Sequence, residues 1–130
     1  MYGRIFTVPN PSHQDINEEL RQLQRDYIKK LPGRVTQLVE AWTSNLAQPK
    51  EETLQDIYRQ AHTIAGTSGV LGIDEVSQAA RAIEQVIKER ESNDSLSAEE
   101  TSAAQHSIDI LRELSTSSEI KIREINLQRR

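Results

Sequence analysis

The chain contains no cysteine, which excludes disulfides, thiolate metal sites and cysteine nucleophiles and is compatible with a reducing compartment. Aromatic residues make up only 4% of it, a composition poor in strand formers. Long hydrophobic runs are missing as well. None approaches the roughly 18 residues of a membrane span, and the N-terminus lacks the charged-then-apolar layout of a signal peptide. Basic clusters are also scarce: the formal net charge is -4, and Arg129-Arg130 is too small a run to serve as a phosphate-backbone surface. These absences lead us to expect a cytoplasmic domain with neither nucleic acid nor membrane as a partner; we also expect the domain to be monomeric.

What is present points to helices. The 130 residues, 35% apolar and 28% charged, suit one domain with one core built from amphipathic helices with aliphatic seams. Residues 1–13, with Gly3, Pro9 and Pro11 around Ile5-Phe6-Thr7-Val8, read as an extended arm leading to a helix start near Ser12. From Ile16 the positions Leu20, Leu23, Tyr27, Ile28 and Leu31 keep helical spacing until Pro32-Gly33, where a kink or short break is expected. Val35, Leu38, Val39, Trp42 and Leu46 give a second helix ending before Gln48-Pro49, with Trp42 in the core.

A third helix is expected from Lys50 to Leu71, with Gly72 placed to terminate it and Asp74 to cap a fourth. The fourth buries Val76, Ala79, Ala80, Ile83, Val86 and Ile87, and the short connection makes these two helices antiparallel neighbours. After a polar loop, Ser97-Ala98-Glu99-Glu100 has the capping-box form and opens a fifth helix along Ala104, Ile108 and Leu111. Ile122 and Ile125 continue its spacing, against the Ser115-Thr116-Ser117-Ser118 cluster. The fold expected is therefore all-α: an antiparallel four-helix bundle over residues 14–130 with an additional N-terminal helix and a short extended N-terminal arm.

The stretch Ala61-His62-Thr63-Ile64-Ala65-Gly66-Thr67-Ser68-Gly69-Val70-Leu71-Gly72 is unusual for a helix, because three of the chain's five glycines follow His62 closely. Each interior glycine costs roughly 1 kcal/mol relative to alanine, so bare backbone at Gly66 and Gly69 needs a reason. Residues three, four and seven beyond His62 are Ala65, Gly66 and Gly69, which leaves one face without tall side chains. Two explanations stand side by side: an open face for a partner, or a crossing point where another helix packs closely.

In the expected hairpin, with its turn near Ile73, His62 and Glu84 are each eleven residues from the turn and so lie level. A carboxylate bonded to one imidazole nitrogen fixes the tautomer and leaves the other as a better-oriented nucleophile. The alternative for Glu84 is a surface pair with Lys88, worth about 0.3–0.5 kcal/mol.

The segment Ala61 to Gly72 resembles the signature of histidine-containing phosphotransfer (HPt) domains: alanine, histidine, a variable residue, an aliphatic, usually lysine, then glycine and small residues, ending in an aliphatic or aromatic residue and glycine. The helix order, the break expected near Pro32 and the length around the motif are similar too, over roughly residues 14–127. The resemblance implies that His62 is the phosphoacceptor, that Glu84 holds its imidazole, and that Gly66 and Gly69 keep the surface open for a receiver domain. It also implies a phosphocarrier with no autonomous activity and no cofactor of its own, with Mg2+ supplied by the partner receiver or histidine kinase. At Ala65 many members have a lysine, and Arg81 is a candidate cation in its place. Gln55 and Arg59 extend the same face as candidate docking contacts or as ordinary solvated surface.

Two further classes compete. A non-phosphorylated helical adaptor would keep the bundle for docking and lose transfer. A hydrolase would need Ser68 beside His62, but Ser68 lies nearly two turns along the same helix and has no strained elbow. His13 and His106 lack the paired spacing of a metal site.

Overall fold

The computed structural model describes residues 13–125, with side chains from residue 16 onward. Four helices account for the described fold: α1 (His13–Ala47), α2 (Glu51–Val70), α3 (Asp74–Lys88) and α4 (Ala98–Ser115). Each packs on two adjacent helices, in the cyclic order α1, α2, α3, α4 and back to α1, and α2 and α3 are the most intimately packed. The short connections Gln48 to Lys50 and Leu71 to Ile73 make successive helices antiparallel. Of the expected arm, residues 1–13, residues 1–12 lie outside the described residues, as does the Arg129-Arg130 end, while His13 belongs to α1. Among the described residues no helix is long and apolar enough to cross a membrane.

The two N-terminal helices expected on either side of Pro32 are one continuous helix, with Pro32 inside it. Tyr27, Leu31, Val35, Leu38 and Trp42 form a single buried stripe that runs past the proline. Proline costs about 3 kcal/mol in a helix interior. Each large apolar side chain buried contributes about 1.5–3 kcal/mol, so the stripe outweighs the break. Trp42 is in the core, and its indole N–H donates to Gln105 Oε1 at 2.6 Å, tying α1 to α4. Leu23 and Leu46, expected on the seams, are exposed.

The α2–α3 turn is built by its backbone. Ile73 N–H donates to Ser68 O at 2.8 Å and Gly72 N–H to Gly69 O at 3.2 Å, the paired bonds of a Schellman ending. Gly72 takes the left-handed conformation this ending requires, with φ 78°. Asp74, expected as the cap of α3, is instead its first residue. Ile73 occupies the cap position, with no side-chain bond, and the Asp74 carboxylate accepts from Arg123 Nε at 3.0 Å. The capping box of α4 is present in both directions, Glu100 N–H to Ser97 Oγ at 3.0 Å and Ser97 N–H to Glu100 Oε1 at 2.8 Å.

The last helix stops at Ser115, short of Ile122 and Ile125. The chain beyond it returns across the α2–α3 turn, where Arg123 N–H donates to Gly72 O at 2.7 Å and the Arg123 guanidinium reaches Gly69 O at 3.3 Å. The serine and threonine hydroxyls at this end bond back to carbonyls of the final turn, Ser115 and Thr116 both to Arg112 O. Such local bonds compete with helix continuation.

Candidate functional site

His62 sits past the middle of α2, at the edge of the stripe formed by Leu54, Ile57, Ala61, Ile64, Ala65 and Ser68. The stripe anchors the helix against the bundle, and the histidine side chain emerges with 66% of its surface exposed. Its Nδ1 lies 2.7 Å from Glu84 Oε2 across the α2–α3 interface. Glu84 is itself only 14% exposed, held by α3 beside buried Ile83. The carboxylate therefore meets the imidazole and makes no pair with Lys88. An ionised carboxylate can only accept, so a neutral ring in this bond carries its proton on Nδ1 and keeps its lone pair on Nε2.

The residues beyond His62 do not share one environment. At about 100° per residue, i+4 turns about 40° away from the stripe, i+7 about 20° towards it and i+3 about 60° towards it. Gly66, at i+4, is exposed, and an added Cβ would meet nothing within 4 Å. Gly69, at i+7, lies against α3, where an added Cβ would come to 3.2 Å from Ser77 Oγ. Ala65, at i+3, is 2% exposed. Ala65 was expected on the open face, and its rotation into the α2–α3 seam removes it from that face. Gly66 thus lies on open surface and Gly69 at the helix crossing, so the two glycines do not share one environment.

Ser77 fastens that crossing. Its hydroxyl donates to Ala65 O at 2.8 Å and accepts from Arg81 at 3.3 Å. Arg81 is thereby held along the α2–α3 seam at the level of Gly69. Gln55 and Arg59 make bonds within their own helix, Gln55 to Glu51 at 3.3 Å and Arg59 to Asp56 at 3.7 Å. Ser68 is fully buried and its hydroxyl donates to Tyr27 Oη at 3.3 Å, so it is not near His62 as a nucleophile. His106 is exposed on α4, and the His13 side chain lies outside the described residues. Among the described residues no group of three or more His, Asp or Glu side chains is placed to hold a metal ion.

Three features of the site were not anticipated. Tyr58 stacks on His62, with ring centroids 6.0 Å apart and planes 12° from parallel. Helical side chains lean towards the N-terminus, so the sequence signal for this contact is the aromatic residue four positions before His62, on the side away from the glycines. On the other side, α1 and α2 enclose a groove of ≈ 680 Å³ that His62 shares with Lys30, Arg34, Gly66 and Val70. Lys30 and Arg34 make no hydrogen bond or ion pair with any described residue. Leu23 and Val70, 57% and 75% exposed, supply apolar rims to the same groove. The pairing of α1 with this face of α2 carries no local sequence signal, and it brings these residues together.

A family model described as Hpt domain matches residues 15–117. Comparison with the curated proteins and with the solved structures returned no match.

Proposed function

The chain belongs to the Hpt domain family, whose members are phosphocarrier modules working with kinases and receiver domains in phosphorelays. On that premise we propose that His62 accepts a phosphoryl group on Nε2 and exchanges it with a receiver-domain aspartate. The observation that carries this reading is the 2.7 Å bond between His62 Nδ1 and Glu84, which orients an exposed ring and leaves its outer nitrogen as the nucleophile.

The chemistry asks little more of this chain. In-line phosphoryl transfer is governed by positioning and by compensation of charge on the transferred group. Glu84 does the positioning. Lys30 and Arg34, which share the groove beside His62 with Asp26 and pair with no described residue, offer the compensating charge that Ala65 does not, while Arg81 stays engaged with Ser77. The partner supplies Mg2+ and its own aspartate, and docks over the open backbone at Gly66 and the apolar rims Leu23 and Val70.

The test is transfer from a panel of phosphorylated receivers to the purified chain. Acid-labile, alkali-stable label is expected on the wild type and is abolished by His62→Gln, with receiver binding retained. Binding of receivers without label on His62 would make the chain a docking adaptor, and neither labelling nor binding would remove both readings.

A further inference from the structure

The imidazole of His62 is held from two directions, at its edge by Glu84 and on its face by Tyr58. When Nε2 attacks phosphorus, the N–P bond forms, the bond from phosphorus to the donor atom breaks, and the donor leaves with the electron pair. Because Nδ1 keeps its proton, the ring then carries one positive charge alongside the two negative charges of the phosphoryl group. A neutral ring becomes an imidazolium, and what stabilises the imidazolium stabilises the phosphorylated state.

We propose that Tyr58 is a positioning residue for this step, its ring face holding the His62 plane and stabilising the positive charge that the imidazole acquires on phosphorylation. The proposal rests on His62 being the phosphoacceptor. The centroid separation of 6.0 Å and the 12° angle between planes describe an offset stack at the outer edge of cation–π range. Tyr58 is one turn before His62 on α2 and is partly buried against the core, so its ring is fixed by packing rather than by the histidine. Glu84 bonds in the ring plane and Tyr58 covers a face, so together they restrict both torsions of the His62 side chain. An exposed cation–π contact corresponds to roughly a two- to fivefold change in equilibrium.

The experiment uses phosphoramidate as donor, a small molecule that needs no docking face. Here the P–N bond breaks and ammonia leaves while Nε2 gains the phosphoryl group. The full chain, Tyr58→Leu and Tyr58→Phe are compared for the rate and equilibrium extent of His62 labelling, with helicity checked by circular dichroism. The His62 ring C–H proton resonances are recorded alongside. Tyr58→Leu is expected to lower the extent of labelling roughly two- to fivefold and to remove the ring-current shift from those resonances. Tyr58→Phe, which keeps the aromatic face, is expected to restore both. Labelling of Tyr58→Leu to the wild-type extent would overturn this role and leave His62 as acceptor. Equal loss in Tyr58→Phe and Tyr58→Leu would overturn it too, since the face would then not matter. A wild-type chain that takes no label would overturn the reading of His62 itself, and this proposal with it.

Discussion

A methyl group placed on Gly66 meets open space, while the same group on Gly69 comes to 3.2 Å from Ser77 Oγ. That hydroxyl has little freedom to yield, because it donates to Ala65 O and accepts from Arg81. Replacing an interior helical glycine by alanine gains about 1 kcal/mol when nothing opposes it. Gly66→Ala is therefore expected to stabilise the chain by about 1 kcal/mol in urea unfolding, and to slow exchange with a receiver by putting a methyl on the docking face. Gly69→Ala is expected to show no such gain or to fall below wild type. A stability gain at both positions would mean that α2 and α3 are less tightly apposed. The need for bare backbone was legible in the sequence, but the division of labour was not. Counting i+3, i+4 and i+7 as one face hides a spread of about 100°, wide enough to bury Ala65 and leave Gly66 in solvent.

Among the elements, α1 shows most clearly what a local reading weighs and what it misses. Pro32-Gly33 is a strong breaker pair, and the apolar spacing on both sides of it was correctly in view, but the common stripe from Tyr27 to Trp42 is satisfied only when α2 and α4 close over it. Thr36 Oγ1 donates to Pro32 O at 2.8 Å, a local bond that does not replace the backbone donor the proline lacks. Pro32→Ala restores a backbone donor and relieves the clash with the preceding turn. It is expected to raise stability by up to about 3 kcal/mol without altering helix content, measured by calorimetry and circular dichroism. An unchanged melting temperature would show that the bundle already absorbs the proline at no cost. The end of α4 illustrates the opposite error. Ile122 and Ile125 keep helical spacing in the sequence, yet the hydroxyls of Ser115 and Thr116 close the helix and Arg123 is bonded at the α2–α3 turn. Spacing alone does not distinguish a helix from a strap that returns to the same surface.

For the molecule as a whole, the cyclic bundle places α1 alongside the exposed face of His62 and brings Lys30 and Arg34 into the groove that the histidine lines. The chain carries a formal net charge of -4, Glu84 bonds the His62 ring and Asp26 lines the same groove, so the phosphoryl dianion of the proposed transfer would arrive in a negative setting. Opposite charges in water attract by an amount that depends on their separation, so replacing both cations is expected to slow transfer from a phosphorylated receiver measurably at low salt. The deficit of the Lys30→Gln, Arg34→Gln double variant should shrink as ionic strength rises, because the Debye length falls to about 3 Å at 1 M. A deficit independent of salt would point to lost packing instead. The all-α class, the α2–α3 hairpin and the level placement of His62 and Glu84 could be read from spacing because they depend on neighbours in sequence. The groove could not, because it joins segments more than thirty residues apart, Lys30 on α1 and Thr63 on α2.

The most direct measurement of the central claim is the position of the phosphate on the ring. The purified chain, phosphorylated to a high level, is observed by NMR using the couplings between phosphorus and the imidazole atoms. The wild type is expected to carry phosphate on Nε2 of His62 with Nδ1 protonated, and Glu84→Ala to reach the same product about tenfold more slowly with helicity unchanged. Phosphate on Nδ1, phosphate on another residue, or a Glu84→Ala variant as fast as wild type would contradict the account.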